Sequence, residues 1–126
     1  MRQNLPLLFI GLSLIVALAG MGFGMYMAGT QDHLLAPAHA HNNLVGFVML
    51  FLFGLYYGVY PSAAAGRLPL IHFWLSAFSA VTIGLGIAMT INGQGEVLAI
   101  VSSLAAMLAT IVFVVIVYQN RAAMRV

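Results

Sequence analysis

The sequence predicts an all-α membrane protein, a single four-transmembrane-helix bundle spanning residues 1–126. Three features carry that reading. Charge is almost absent, four apolar runs are each long enough to cross a bilayer, and the prolines stand where those runs begin or end. Ordinary soluble domains carry about 25% charged residues, whereas this chain is 5% charged and 63% hydrophobic. So few charges cannot build a water-facing surface, and the hydrocarbon of a lipid bilayer is the expected surrounding.

A helix needs about 20 apolar residues to cross roughly 30 Å of hydrocarbon. The first run, Leu5–Ala28, meets this with Pro6 in its opening turn, where the missing N–H has no helical partner to lose. Arg2 followed by an apolar run ending in small residues also has the outline of a secretory signal. The run exceeds a usual signal core, and it is read as a retained first helix. The second run, Ala38–Tyr60, opens after Pro37 and is closed by Pro61. The third, Leu68–Asn92, carries Pro69 in its first turn and ends at Asn92-Gly93-Gln94-Gly95, a tight-turn composition. The fourth, Val97–Gln119, follows directly.

Charge supplies orientation. Arg2, Arg67, Arg121 and Arg125 all fall on one side of this arrangement, and Asp32 and Glu96 on the other. The positive-inside rule then places both termini in the cytoplasm of a bacterial-type inner membrane, with the Asp32 loop outside. The chain has no Cys, which excludes disulfides, thiolate metal sites and cysteine nucleophiles. Four Arg are too few for a nucleic-acid footprint.

Chemistry concentrates in Pro37-Ala-His39-Ala-His41-Asn42-Asn43-Leu-Val-Gly46, at the mouth of the second span. Ionisable groups there are costly and are usually kept for a ligand, a proton or a metal. Residues two positions apart on a regular helix differ by about 200°, so His39 and His41 point to nearly opposite sides and cannot easily chelate one ion together while the helix stays regular. Two separate tasks are expected, one histidine facing a cofactor and the other a neighbouring helix or subunit. A neutral imidazole is a common axial ligand of haem iron, and the positive N-terminal end of the span disfavours imidazolium. Asn42, Asn43 and Gln31, with exposed N–H groups at that end, could receive propionates. Gly46, on the face of His39, would let a flat macrocycle approach the backbone. The plainer alternative is that both histidines are interfacial and bond a carbonyl or water. His33 beside Asp32 reads as a solvated loop residue, with a zinc or copper site as the alternative. His72, at the opposite end of the bundle in the third span, reads as structural. Met21, Met25 and Met27 could offer a thioether to iron, although methionine more often fills apolar gaps.

The run Ala38-His39-Ala40-His41, then Gly46-Phe47 and Phe53-Gly54-Leu55-Tyr56-Tyr57-Gly58-Val59-Tyr60-Pro61, resembles a late helix of the large subunit of haem–copper oxidases and nitric oxide reductases. Leu70-Ile71-His72-Phe73-Trp74-Leu75-Ser76 resembles the opening of the next helix in that subunit. The resemblance covers about residues 35–92. It implies that His39 ligates a high-spin haem and His41 a low-spin haem, and that His72 ligates neither. The chain lacks the family's larger helix set and its three-histidine copper site, so the complete oxidase reaction is not implied. Ala38-His39 followed by Leu44 and Gly46 is also similar to the haem-ligand segment of styrene oxide isomerase, a four-helix membrane enzyme holding haem b. That enzyme has an amide side chain where this sequence has Val45, and a tyrosine in a third span that here has none. Haem binding carries over on this match more readily than epoxide isomerisation.

Small residues recur at four-residue spacing in Gly20/Gly24, Gly54/Gly58, Ala80/Gly84/Ala88 and Ala105/Ala109, which lets membrane helices approach closely. Four short helices enclose little volume, so a macrocycle is expected between protomers of a homo-oligomer, a trimer by analogy with the isomerase. Tyr56, Tyr57, Tyr60 and Trp74 resemble an interfacial aromatic belt, with a substrate cavity as the alternative. The expected function is that of a small b-type haem protein. Electron transfer follows if iron is six-coordinate, and Lewis-acid chemistry on a small apolar substrate or diatomic-gas binding if it is five-coordinate. A cofactor-free accessory or assembly subunit of a larger membrane complex is the non-enzymatic alternative. A transporter or channel has little support, because no acidic residue lies inside a span.

Overall fold

The computed structural model describes residues 4–124, so Arg2 and Arg125, half of the positive charge used for orientation, lie outside the described residues. Helix α1 runs from Leu5 to Thr30. A second span is built from α2 (Ala36–His41), a π-helical stretch (Asn42–Met49) and α3 (Leu50–Val59). Helices α4 (Leu68–Ile91) and α5 (Val97–Gln119) complete the set. Each of the four spans is long and apolar enough to cross a membrane. Their ends agree with the sequence expectation to within two residues.

The span ends follow from local chemistry. Pro6, Pro37 and Pro69 each occupy one of the first two positions of their helices. Gln31, in the left-handed conformation (φ 56°), ends α1, and its side-chain amide donates to Ala28 O at 2.6 Å. After Val59 the chain turns through a short 3-10 helix, Pro61–Ala64. Gly93 and Gly95 adopt φ of 72° and 105° in the turn between α4 and α5, values that L side chains rarely tolerate.

The second span lies between α1 and α4, and α5 packs mainly along α4. Glycines set these approaches. A methyl group on Gly46 would meet Val16 and the backbone carbonyl of Ala80, so the second span is pressed against both neighbours at that level. Gly54 sits against Phe9 and Ile10, and Gly86 against the backbone of Leu98 and Ala99. Ala105 and Ala109 are buried, in keeping with intramolecular packing of that pair. Gly58 is looser, with only Pro6 nearby.

The aromatic core lies at the Arg67 end. Phe9, Phe53, Tyr57, Phe73 and Phe113 gather around His72, with Phe53 4.5 Å, Phe9 5.1 Å and Phe113 5.2 Å from its ring. Tyr57 therefore departs from the belt reading: it is 0% exposed and belongs to the core. Tyr56 and Tyr60 are half-buried, while Trp74, at 60% exposure, keeps the outward position a belt residue needs.

Candidate functional site

The second span is not a uniform α-helix, and the change falls where the histidines are. After one and a half turns of α-helix ending at His41, the backbone widens into π geometry from Asn42 to Met49. Such stretches are rare and often mark functional sites. Nothing in the composition of Asn42–Met49 announces it; an abrupt change of helical pitch leaves no hydrophobic-period signature over so few residues.

His39 and His41 diverge. His39 is half-buried, with its ring 5.9 Å from that of Phe23 on α1. The side-chain amide of Asn43 donates to His39 Nε2 at 3.1 Å, and His39 Nδ1 is buried with no partner. His41 is exposed, and its Nδ1–H donates to Pro37 O at 2.8 Å. That bond occupies Nδ1 and leaves Nε2 outside the hydrogen bonding of the span. The two rings differ in kind: one borders the interior, and the other is exposed and bonded to its own helix through Nδ1.

Three glycines flank His39 and the two asparagines. Asn43 lies against Gly20 of α1, and a methyl group on Gly84 of α4 would come within 3.2 Å of Asn42 Cβ. A methyl on Gly24 would similarly meet the His39 ring at 3.2 Å. Around them opens a cleft of about 340 Å³, bordered by Gly20, Phe23, Ala38, His39, Asn42 and Gly84 among others. Its walls are apolar apart from the imidazole and the Asn42 amide.

Of the predicted site residues, the structure thus brings His39, Asn42 and Asn43 together. His41 stands on another face, and Gly46 is occupied by helix packing against Val16 and Ala80. His33 is exposed in the loop, its Nδ1–H donating to Gln31 O at 3.2 Å. Among the described residues no group of three or more His, Asp or Glu side chains could hold a metal ion, which leaves no basis for the zinc or copper alternative at His33. Met27 is buried, Met21 and Met25 are exposed, and none of the three lines the cleft.

A haem needs one imidazole and room for a flat apolar ring. The donor set suits it in one respect: a histidine bordering an apolar cleft, whose Nε2 is held only by the Asn43 amide. The space suits part of it, because 340 Å³ is near the lower end of the ~300–1,000 Å³ range for ligand pockets. A macrocycle seated at His39 would extend beyond the cleft onto the outer surface of the bundle.

Sequence reasoning missed the pairing of Tyr57 with His72. The tyrosine hydroxyl and His72 Nδ1 share a hydrogen bond of 2.8 Å, and both residues are 0% exposed. His72 Nε2 has no partner. The available signal was a histidine inside an apolar span, which is costly unless paired. Compared with protein families, curated proteins and solved structures, the chain matches none.

Proposed function

We propose that this protein is a small integral-membrane b-type haem protein whose axial ligand is His39. The observation that carries this reading is the half-buried imidazole of His39 at an apolar cleft, its Nε2 held by a single side-chain amide, that of Asn43. Support comes also from the π-helical stretch beginning directly after the histidine pair and from the sequence resemblance of Ala38–Gly46 to haem-ligating segments. Bound there, haem supplies either an electron-transfer centre or an open iron position for a small apolar substrate or diatomic gas.

The chain's own residues would divide the work. His39 would be the ligand, the Asn42 side chain would supply a polar group to the wall of the cleft, and Gly20, Gly24 and Gly84 keep α1 and α4 clear of the imidazole and amides. His41, held by Pro37 O, offers its Nε2 to a second ligand or to a neighbouring copy. Because the cleft takes only part of a macrocycle, we place the remainder between protomers of a homo-oligomer, with the isomerase trimer as the analogy. The proposed setting is a bacterial-type inner membrane with both termini cytoplasmic, following Arg67 and Arg121 on one side and Asp32 and Glu96 on the other.

The test is the ultraviolet–visible spectrum of detergent-purified protein expressed with haem supplied, with a pyridine haemochrome assay for stoichiometry. A stoichiometric Soret band lost in His39→Ala, and shifted but retained in His41→Ala, is the expected result. Equal haem content in wild type and His39→Ala would remove the assignment. A colourless wild type that co-purifies with a larger membrane complex would favour the accessory-subunit reading instead.

A further inference from the structure

A second cavity, of about 260 Å³, lies between the second span, α4 and α5, and none of the residues bordering the His39 cleft takes part in it. Its walls include Met49 and Phe53 of the second span, Ser76 and Ser79 of α4, and Met107 and Thr110 of α5. Leu44 and Met107, both on its border, are also more than half exposed, so the cavity reaches the lipid-facing surface between the second span and α5.

Three hydroxyl side chains line it, and two are committed elsewhere. Ser79 donates to Ser102 O at 2.9 Å, and Thr110 donates to Ala106 O at 2.9 Å. Ser76 is 4% exposed, and its Oγ has no partner. Water is scarce at this depth, so an unpaired hydroxyl is expensive there unless something else bonds it. The space is too large to ignore: a dry apolar cavity of about 150 Å³ already accepts benzene.

We infer that this cavity is a ligand site for a lipophilic molecule of about bicyclic size bearing one hydroxyl or carbonyl oxygen, which enters from the bilayer and bonds Ser76 Oγ once the Ser76 side chain, whose Oγ is enclosed in the unliganded bundle, rotates toward it. The hydroxyl can donate to a carbonyl or accept from an alcohol, so either group satisfies it. The apolar walls bind the body of the molecule, and Ser76 fixes which end goes in first. The site stands independently of haem: it uses other residues and requires no metal.

Two of its wall residues are methionines, which gives a local readout. The full-length protein in lipid nanodiscs, labelled with ¹³C at the methionine methyls, is titrated with 2-naphthol and separately with naphthalene. Saturable shifts of Met49 and Met107, with Met21 and Met25 unmoved, are expected for both probes, 2-naphthol binding the tighter. Ser76→Ala lowers 2-naphthol affinity by about fivefold, to that of naphthalene, and Ser76→Thr restores it. Ala106→Leu, which fills the cavity, suppresses both titrations. Shifts of all methionines in proportion to probe concentration would overturn the site, since that is partition into lipid. Unchanged 2-naphthol affinity in Ser76→Ala would overturn the role of the hydroxyl, and that comparison stands even if Ala106→Leu fails to fold.

Discussion

Tyr57 and His72, fifteen positions apart and on different spans, share a 2.8 Å hydrogen bond inside a shell of aromatic rings. The bond ties the Arg67 end of the second span to α4 where no water can substitute for either partner. Tyr57→Phe removes the hydroxyl and leaves His72 Nδ1 buried without a partner. Interhelical hydrogen bonds in membranes average about 0.6 kcal/mol and reach about 1.7, and an orphaned polar group adds to the loss. Tyr57→Phe should therefore destabilise the bundle by about 1–2 kcal/mol in a reversible detergent unfolding assay. Tyr57→Phe combined with His72→Leu should lose less than the sum of the single variants, since the double variant leaves nothing unpaired. Strict additivity would mean that the bond contributes no stability.

Glycine substitutions should sort by what stands opposite them. A methyl on Gly86 would lie 2.6 Å from the amide nitrogen of Ala99, and neither backbone can yield without separating α4 from α5. Gly86→Ala should lower stability by about 1–3 kcal/mol, the usual range for overpacking. Gly22 on α1 has nothing within 4 Å, so Gly22→Ala should be neutral or stabilising by up to about 1 kcal/mol through helix propensity. Equal effects at the two positions in the same unfolding assay would contradict the close approach of α4 and α5.

The parts legible in the sequence are those fixed by chemistry local to the chain. Span ends follow from Pro6, Pro37, Pro69 and the Asn92–Gly95 turn, because each acts through its own backbone. The divergence of His39 and His41 follows from their two-residue offset on one helix. What depended on another span was hidden. Tyr57 has the composition of an interfacial residue, and only the register of α4 brings His72 to it. Gly46 lies in sequence near His39, yet Val16 and Ala80 claim its open side. Asn42 and Asn43, three and four positions after His39, stand on its face as regular helical spacing anticipates.

Orientation in the membrane can be tested directly because the chain has no cysteine of its own. Ser62 and Gln94 are exposed in turns at opposite ends of the spans. In intact spheroplasts, a membrane-impermeant maleimide should label Gln94→Cys at once and Ser62→Cys only after permeabilisation. The reverse pattern would put the Arg67 end, with the termini, outside, and would set the His39 cleft on the cytoplasmic side.

Asn43 gives the sharpest test of how His39 is kept available. Its amide donates to His39 Nε2 at 3.1 Å, and the lone pair it occupies is one that iron would need. Under the haem reading the amide and the metal compete for the same nitrogen, so the imidazole must release one to take the other. A neutral hydrogen bond contributes about 1 kcal/mol net, and removing this competitor should tighten haem binding by about fivefold. Asn43→Ala is therefore expected to retain its Soret band and to transfer haem to an acceptor protein more slowly than wild type. A variant that loses haem as completely as His39→Ala would mean that Asn43 supports the bound group rather than competing with it.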